Sequence, residues 1–417
     1  MKLRNGFSGV RSNAGFNTII HVGLISILVG CGSRVEKKFQ PYVTEIDGMS
    51  VGISEADAAI LCKTQACEEN QIYTASFGRK KRNESQTVSS PQPVREPPLS
   101  EGPPGFTPSF QPPEFLDYSK IALRLGEAWQ ITEGSSQIVV AVIDSGISYV
   151  HPDLVDNLWV NTREKNGLPG VDDDSNGYVD DVYGWDFHNN RPNNYDDNGH
   201  GTHCAGIVAA KKDEFGTRGT APKVRVMGLK FLNAQGSGDT PDAVNAVRYA
   251  VRNGAHVISA SWGGGGVSSA LRNAIADAIA SGVHFVAAAG NETTNNDLIA
   301  SYPANYSGVI SVGSSDSSNQ LSSFSNYGAS TVKVIAPGTN IYSTYPVDRY
   351  RTLSGTSMAA PAVAGVLALG ISAYPSSSLQ ARESALCSSG GNRLRSFSAC
   401  GRIDARSFLE ILGGSGS

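Results

Sequence analysis

Three side chains that could together activate a hydroxyl group lie far apart in this chain of 417 residues. Ser357 lies in the small-residue segment Gly355–Pro361, at the start of a helix-forming run. Its hydroxyl would be exposed beside free backbone N–H groups and the positive end of the helix dipole. A serine in that position can attack a carbonyl while the N–H groups face the oxyanion. Taken alone, Ser357 could equally be an ordinary helix cap.

The other two candidates are an acid and a base. Asp144 follows the apolar run Val139–Ile143, which is β-branched and too short for most helices, so a buried strand is predicted. Open α/β sheets carry their sites at the carboxyl ends of such strands. His200 lies between Gly199 and Gly201, which allow close backbone approach. Carboxylate, imidazole and hydroxyl would supply an orienting acid, a base and a nucleophile.

The chain order Asp144, His200, Ser357 is the order found in subtilisin. From Tyr118 to Leu412 the sequence resembles the subtilases, the subtilisin-like serine endopeptidases. The resemblance implies that Asp144 orients the base, that His200 acts as base and then acid, and that Ser357 forms the acyl-enzyme. It also implies that Asn291 donates its side-chain N–H to the oxyanion beside the backbone N–H of Ser357.

Apolar runs and helix-forming runs alternate after Tyr118, which predicts a parallel sheet with helices on both faces. The resemblance likewise implies an α/β, subtilisin-like three-layer fold with a mostly parallel central sheet. Strands are expected at Ile138–Ile143, Val224–Phe231, Val257–Ala260, Val283–Ala288, Val309–Val312 and Val332–Ile335. Helices are expected at Gly201–Ala210, Pro241–Arg252, Ser269–Ala280 and Ser357–Ile371, with Pro361 in the first turn of the last helix, where a missing N–H is harmless.

The resemblance further assigns the peptide-binding residues. An extended substrate would pair, by β-augmentation, with two segments: Gly236, Ser237 and Gly238, and Ser261, Trp262 and Gly263. The primary pocket would be walled by the second segment and by Ala288, Ala289 and Gly290, with Ser301 at its floor. A small floor residue suggests room for a large apolar or aromatic side chain, and Trp262 replaces a common leucine. The alternative is that the glycine-rich runs are flexible loops without a ligand.

An acidic insert suggests calcium. Asp172, Asp174, Asn176 and Asp180 alternate around Gly177 as in the front of an EF-hand loop, although Tyr183 occupies the place of the closing glutamate. A calcium loop without flanking EF helices and a plain acidic loop remain alternatives. The resemblance adds a second calcium site at Asp153 and Asp213. Calcium would stabilise surface loops and take no part in the chemistry.

The chain begins like a targeting signal. Basic residues precede an apolar stretch, residues 19–29, that is too short and interrupted for a secure membrane span. It ends in Leu28–Cys31, which resembles the bacterial lipobox, so residues 1–30 are interpreted as a leader and Cys31 as a lipidation site. An ordinary signal peptide with an incidental cysteine is the alternative. A lipid would tether the protein to a membrane without spanning it, and Gly32 favours the outer membrane or cell surface.

Residues 31–88 are interpreted as a shortened α+β prosegment, an intramolecular inhibitor of the kind that subtilases carry. Strands are predicted at Tyr42–Ile46 and Asn70–Tyr73 around a helix at Gly52–Leu61. A spacer with one helix is the alternative. The basic run Arg79–Arg82 is either a processing site or a charged linker face. Residues 89–115 form a proline-rich tether, residues 116–412 the peptidase domain and residues 413–417 a tail.

Six cysteines suit an exported protein. Two closely spaced pairs, Cys62 with Cys67 and Cys387 with Cys400, are disulfide candidates in an oxidising compartment. Cys204 remains, and some subtilases have a cysteine at this position, so the resemblance implies that it is buried beneath His200 and slow to react. A cysteine nucleophile is the alternative. His200 and His203 form a His-x-x-His pair, which could suggest a metal site, but no glutamate follows at the spacing found in zinc proteases. A structural role is therefore expected for His203.

Charge and motifs together narrow the function. The 34 basic and 38 acidic residues form no basic stripe, which argues against nucleic-acid binding. We expect an exported, monomeric endopeptidase of broad preference acting on proteins or peptides. A maturation protease with narrow targets would share the chemistry. A non-catalytic surface-binding homologue is disfavoured because the acid, base and nucleophile are all present.

Overall fold

The computed structural model describes residues 42–46, 49–53, 68–69, 72–75, 112–391 and 393–414. Several predicted features therefore lie outside the described residues. These are the leader and Cys31, the Cys62–Cys67 pair, the basic run Arg79–Arg82 and most of the proline-rich tether.

Seven parallel strands form the central sheet, in the order β13-β12-β11-β9-β5-β7-β6. All six predicted strands are present, and the predicted α/β class is confirmed. The strands are β5 (Val139–Asp144), β6 (Gly184–Asp186), β7 (Arg225–Lys230), β9 (Val257–Ala260), β11 (His284–Ala288), β12 (Ile310–Ser315) and β13 (Val334–Pro337).

Helices cover both faces of this sheet, and the four predicted helices are present. The long ones are α4 (His200–Ala209), α5 (Thr240–Arg252), α6 (Ser269–Ala280), α7 (Thr356–Ala373), α8 (Leu379–Ser389) and α9 (Ala405–Gly414). Short ones are α1 (Tyr118–Ala122), α2 (Leu125–Ala128), α3 (Thr162–Asn166) and a 3₁₀ turn at Val155–Asn157.

Alternation along β5 explains the three layers. Val140 and Val142 belong to one apolar cluster, which includes side chains of α4 and α7. Ala141 and Ile143 belong to the other, which includes side chains of α5 and α6. Because successive strand residues point to opposite faces, a strand buried on both sides needs an unbroken apolar run.

Helix α7 is the central core helix. Within the described residues it alone is long and apolar enough to cross a bilayer by composition, yet 89% of it is buried in the domain. A helix that is apolar all round is expected in such a core.

One detail of α7 corrects the sequence prediction. The helix begins at Thr356, so Pro361 lies in its second turn and not its first. The proline therefore removes an N–H that would otherwise bond to the carbonyl of Ser357.

Smaller sheets flank the core. An antiparallel hairpin, β14 (Ile341–Tyr345) with β15 (Arg349–Leu353), precedes α7 and was not predicted. Near the N-terminus, β1 (Tyr42–Ile46) lies between β2 (Met49–Ile53) and β3 (Glu68–Glu69). The strand predicted at residues 42–46 is thus confirmed. The helix predicted to start at Gly52 is wrong there, because Gly52 and Ile53 belong to β2.

A short N-terminal strand, β4 (Ile72–Ala75), joins the peptidase-like domain. It lies antiparallel between β8 (Ser237–Asp239) and β10 (Trp262–Gly263). The predicted strand Asn70–Tyr73 is thus shifted toward the C-terminus, and Asn70 and Gln71 lie outside the described residues.

Candidate active site

The site begins with a buried acid–imidazole pair. Asp144 ends β5, and His200 opens α4 after Gly199. Nδ1 of His200 lies 2.8 and 3.0 Å from the two carboxylate oxygens of Asp144. Both residues are fully buried. This contact fixes the imidazole orientation and favours the tautomer with its proton on Nδ1.

Electrostatics favour a basic imidazole. Burial lowers the pKa of His200, but the charge of Asp144 opposes this and the net pKa lies well above its ordinary value. Such a histidine can accept a proton from a nearby hydroxyl and hold the resulting positive charge.

Ser357 lies beside this pair at the amino end of α7. Cys204, one turn after His200, bridges the two residues: its Sγ lies 4.0 Å from Nδ1 of His200 and 3.4 Å from the carbonyl oxygen of Ser357. Ser357 and Ser261 also exchange two hydrogen bonds, since the Ser357 hydroxyl donates to the Ser261 carbonyl at 3.0 Å and the Ser261 hydroxyl donates back at 2.9 Å.

The thiol of Cys204 is buried, as expected, and it is free. Burial raises its pKa, so the thiol form is favoured and its reactivity is low. Its side chain points from α4 toward the start of α7, which indicates a packing role.

Asn291 offers a donor to the same space. It follows β11 after Gly290, whose φ of +114° favours glycine and where a Cβ would lie 2.3 Å from Nδ2 of Asn326. The Oδ1 of Asn291 accepts hydrogen bonds from the N–H and hydroxyl of Thr356, at 2.9 and 3.1 Å. Its Nδ2 is buried and has no hydrogen-bond partner among the described residues. An amide held in this way leaves one donor for a ligand oxygen.

The two segments predicted to bind peptide lie on either side of β4. Tyr73 pairs with Gly238, Thr74 with Ser237 and Gly263, and Ala75 with Trp262. The N–H of Ala75 also donates to the Gly236 carbonyl at 2.8 Å. The two segments therefore lie one strand apart, and β4, a strand of the chain's own N-terminal region, pairs with the backbone edges of both.

Two of the predicted primary-pocket segments lie close together. A Cβ on Gly263 would lie 3.2 Å from the carbonyl of Tyr302 and 3.8 Å from the hydroxyl of Ser301. Ala288 and Ala289 are buried at the end of β11, directly before Gly290. Strand β10 thus lies beside the segment around Ser301 and also contacts β11.

The acidic insert forms a carboxylate cluster that differs in part from the prediction. Oxygens of Asp172 and Asp174 lie within 4.8 Å of one another and of Glu164, a residue of α3 that sequence analysis missed. The carboxylate of Asp180 instead accepts the N–H of Gly170, and Asn176 Oδ1 accepts the N–H of Tyr178. All three clustered donors are hard oxygens, which suit calcium.

The two residues of the second predicted calcium pair, Asp153 and Asp213, differ in their surroundings. Asp153 is buried and its Oδ1 has no hydrogen-bond partner within the described part of the chain. Burial raises its pKa to about 7. Asp213 lies near Lys211, with 3.3 Å between Oδ2 and Nζ, and accepts the N–H of Phe215. The orphaned oxygen of Asp153 fits a cation, whereas Asp213 already has a basic neighbour.

Two further predictions concern residues outside this group. His203 is buried, and its Nε2 lies 3.1 Å from the carbonyl of Ile341 and 3.0 Å from that of Arg351, which fits the structural role expected for it. Cys387 and Cys400 form a disulfide with their Cα atoms 4.8 Å apart.

Comparison with known proteins agrees with this geometry. A model of the subtilase family matches residues 135–397. The chain is 42% identical to thermitase of Thermoactinomyces vulgaris over 253 residues, which is 60% of this chain and 81% of thermitase. It is 40% identical to subtilisin DY of Bacillus licheniformis over 263 residues, 63% of this chain and 86% of that protein. For subtilisin Savinase of Lederbergia lenta, the identity is 39% over 234 residues, 56% of this chain and 76% of Savinase. The family match spans most of the chain and these relatives are matched along most of their own length, so the chain belongs to the subtilase family and is a subtilisin-like serine endopeptidase.

Proposed function

We propose that the protein cleaves peptide bonds through Asp144, His200 and Ser357. The Ser357 hydroxyl attacks the carbonyl carbon while Nε2 of His200 takes its proton, and Asp144 stabilises the imidazolium through Nδ1–H. His200 then gives that proton to the leaving amine, which leaves an acyl-enzyme on Ser357. Water activated by His200 hydrolyses the ester and restores the serine.

The oxyanion is stabilised by two donors, Nδ2 of Asn291 and the backbone N–H of Ser357. Each N–H donor is held before the reaction begins, so little reorganisation is needed when charge develops. The helix dipole of α7 adds a favourable field at the same position.

The observation that carries this proposal is the 2.8 Å contact between His200 and Asp144, bridged by Cys204 to the amino end of α7 where Ser357 lies. The test is hydrolysis of casein by the wild type and by Ser357→Ala. Ser354→Ala is the matched control, because Ser354 lies three residues earlier and accepts the N–H of Asn340. We expect Ser357→Ala to lose essentially all activity and Ser354→Ala to keep it. Full activity in Ser357→Ala would overturn the proposal.

The N-terminal strand β4 is proposed to inhibit the enzyme from within the chain. It occupies the edge where an extended substrate would bind, and β2 lies against α5 next to it. A peptide held by both edges competes with substrate because each backbone group can pair only once. Removal of the N-terminal region should therefore raise the initial rate of peptide hydrolysis.

Calcium is proposed to stabilise the loops outside the catalytic pair. Glu164, Asp172 and Asp174 would supply carboxylate oxygens at one site, and Asp153 would supply its buried Oδ1 at the other. The ion would offset the repulsion among these carboxylates and raise stability by mass action.

Export and lipid anchoring through Cys31 are also proposed, together with a broad preference for large apolar residues. The leader sequence and the Cys387–Cys400 disulfide support an oxidising compartment. Mass spectrometry of the mature N-terminus, compared with that of Cys31→Ala, tests the anchor.

A further inference from the structure

We infer that Asp196, a buried carboxylate beside the catalytic pair, is a positioning residue that holds Asp144 and His200 at their working distance. The inference rests on the proposed function, since that distance matters to the reaction only if His200 acts as the base. Asp196 lies four residues before His200 and is 0% exposed. Sequence analysis assigned this residue no role.

Four hydrogen bonds tie Asp196 to the backbone around His200. Its Oδ1 accepts the N–H groups of Asn198 and Gly199, at 3.0 and 2.7 Å. Its Oδ2 accepts the N–H and the hydroxyl of Thr202, at 2.8 and 2.6 Å. Gly199, the N-cap residue of α4, has no side chain that could cap the helix, and Asp196 satisfies a first-turn N–H in its place. One carboxylate therefore binds the residues on both sides of His200.

A fifth hydrogen bond reaches the segment that carries Asp144. The hydroxyl of Ser145 donates to Oδ1 of Asp196 at 2.9 Å, and its oxygen accepts the N–H of Gly201 at 2.9 Å. The N–H of Ser145 donates in turn to Oδ1 of Asp144 at 2.7 Å. These bonds join the same two segments as the contact between Asp144 and His200. The catalytic pair is thus held by its neighbours as well as by its own side chains.

The charge of Asp196 is compensated within the fold, as a buried carboxylate requires. Asp196 lies at the positive end of the α4 dipole, and all five donors direct a hydrogen at it. Lys230 ends β7 opposite Asp144, and its Nζ donates to the carbonyl of Ser145 at 2.9 Å. Burial raises the pKa of Asp196, whereas its hydrogen bonds and the charge of Lys230 lower it. The ionised carboxylate is the form that satisfies every one of these donors.

The effect of Asp196 on the reaction is indirect. Proton transfer from Ser357 requires the His200 ring to face the hydroxyl, and a misplacement of about 1 Å can cost about 10²-fold in rate. Asp196→Asn replaces one acceptor oxygen with an NH₂ group, which cannot accept a hydrogen bond. Either the bonds of Oδ1 or those of Oδ2 are then lost, and the segment that carries His200 is released on one side.

The test compares Asp196→Asn with Asp197→Asn. The control makes the same change one residue later, where the carboxylate accepts from Nζ of Lys230 at 2.7 Å and is 31% exposed. Active sites are counted by titration with a fluorophosphonate, so that kcat refers to folded enzyme. We expect kcat to fall roughly 10- to 100-fold in Asp196→Asn with KM changed by less than about twofold. Both constants should stay within about threefold of the wild type in Asp197→Asn.

A spectroscopic measurement separates positioning from general stability. The proton on Nδ1 of His200 is hydrogen-bonded to Asp144, and its ¹H NMR resonance reports the geometry of that contact. It is recorded in full-length chains that all carry Ser357→Ala, so no hydrolysis is needed. The resonance should move or broaden in Asp196→Asn and stay in place in Asp197→Asn. Ser145→Ala, which removes the fifth hydrogen bond and leaves the helix cap intact, should move it as well.

Two results would overturn the inference and leave the proposed function intact. One is a wild-type kcat per titrated site in Asp196→Asn. The other is an unmoved His200 resonance in both Asp196→Asn and Ser145→Ala. If Asp196→Asn does not fold, the resonance and kcat of Ser145→Ala decide in the same way. A wild type that titrates with the fluorophosphonate but hydrolyses no peptide would remove the proposed function, and the inference with it.

Discussion

Ser261 donates its hydroxyl to the carbonyl oxygen of Ser357 at 2.9 Å. That carbonyl would ordinarily accept the backbone N–H four residues later, but the residue there is Pro361, which has none. Ser261 and the Cys204 thiol thus take over a hydrogen bond that the helix cannot form. The first turn of α7 is thereby tied to the residue that precedes β10, and β10 is one edge of the proposed peptide-binding cleft.

Ser261→Ala should therefore destabilise the domain. The Ser357 carbonyl would keep only the weak thiol donor, so we expect a loss of about 1–2 kcal/mol in the free energy of unfolding. Pro361→Ala supplies an N–H, and in that background the cost of Ser261→Ala should fall. Urea unfolding is measured for the parent, for each single variant and for the double variant, all carrying Ser357→Ala to prevent self-digestion. These four free energies of unfolding give the coupling between the two positions. If Ser261→Ala lowers the free energy of unfolding equally with and without Pro361→Ala, the account is contradicted.

Asn291→Asp tests the proposed oxyanion donor. An aspartate keeps an oxygen acceptor for the N–H of Thr356 but replaces the free Nδ2 donor with a second acceptor. We expect kcat to fall about 10²- to 10³-fold, the range known for this donor in subtilisin, with little change in KM. Steady-state kinetics with one peptide substrate measures both constants, and melting temperature serves as the control for folding. A large change in KM at constant kcat would show that Asn291 binds the ground state instead.

Asp144→Asn should change both the rate and its pH dependence. In the proposed mechanism His200 acts as a base only when neutral, so activity should fall as pH drops through its pKa, which the charge of Asp144 holds well above its ordinary value. Without the carboxylate, the acidic limb of the kcat/KM profile should move to lower pH. The maximal rate at the top of the pH profile should fall about 10⁴-fold, as in other serine proteases, because the tautomer of His200 is no longer fixed. An unshifted acidic limb would argue that Asp144 does not set the pKa of His200.

His203 should make stability depend on acid. Burial lowers its pKa to about 3, although its bonds to backbone carbonyls partly oppose this. The unfolded chain, with a pKa near 6.5, then binds more protons than the folded chain between about pH 6.5 and 3. Stability is lost as pH falls through that window, by up to about 1.4 kcal/mol per pH unit. His203→Gln has no such pH-dependent loss of stability. The difference in free energy of unfolding between the wild type and His203→Gln should therefore narrow toward low pH. A constant gap in urea unfolding at pH 4, 5 and 6.5 would contradict the assignment.

Calcium removal should lower thermal stability through the Glu164 cluster. At a calcium concentration about 100 times the Kd, binding adds about 2.7 kcal/mol, which a chelator removes. Glu164→Gln with Asp174→Asn should melt at a lower temperature and respond less to calcium. Asp277→Asn, on the exposed face of α6, is the control and should behave like the wild type. If calcium raises the melting temperature of the double variant as much as that of the wild type, the ion binds elsewhere.

Much of the fold followed from local patterns. The runs at residues 139–143 and 257–260 are apolar and β-branched, and each became a strand buried on both faces. Helix α6 was predicted with its observed bounds, and the structure shows its cap, since the Ser268 hydroxyl accepts the N–H of Leu271. These signals are short in range, so a single sequence suffices to detect them.

Other features depend on contacts between distant segments. Glu164 was missed because its place in the carboxylate cluster requires α3 to fold back on the acidic loop. The β14–β15 hairpin carries Pro346 at its turn and charged residues along its second strand, which obscured the pattern. The location of Ile72–Ala75 in the cleft could not be predicted either, because any extended segment can pair with an open sheet edge.

The central claim is that Ser357 is the nucleophile, and covalent labelling tests it most directly. The processed protein is treated with a fluorophosphonate, digested and mapped by peptide mass spectrometry, with Ser261→Ala and Ser357→Ala treated in parallel. The account predicts one adduct, on Ser357, in the wild type and in Ser261→Ala, together with loss of peptide hydrolysis. An adduct on another serine would contradict it. So would a Ser357→Ala variant that carries no adduct and still hydrolyses peptide at the wild-type rate.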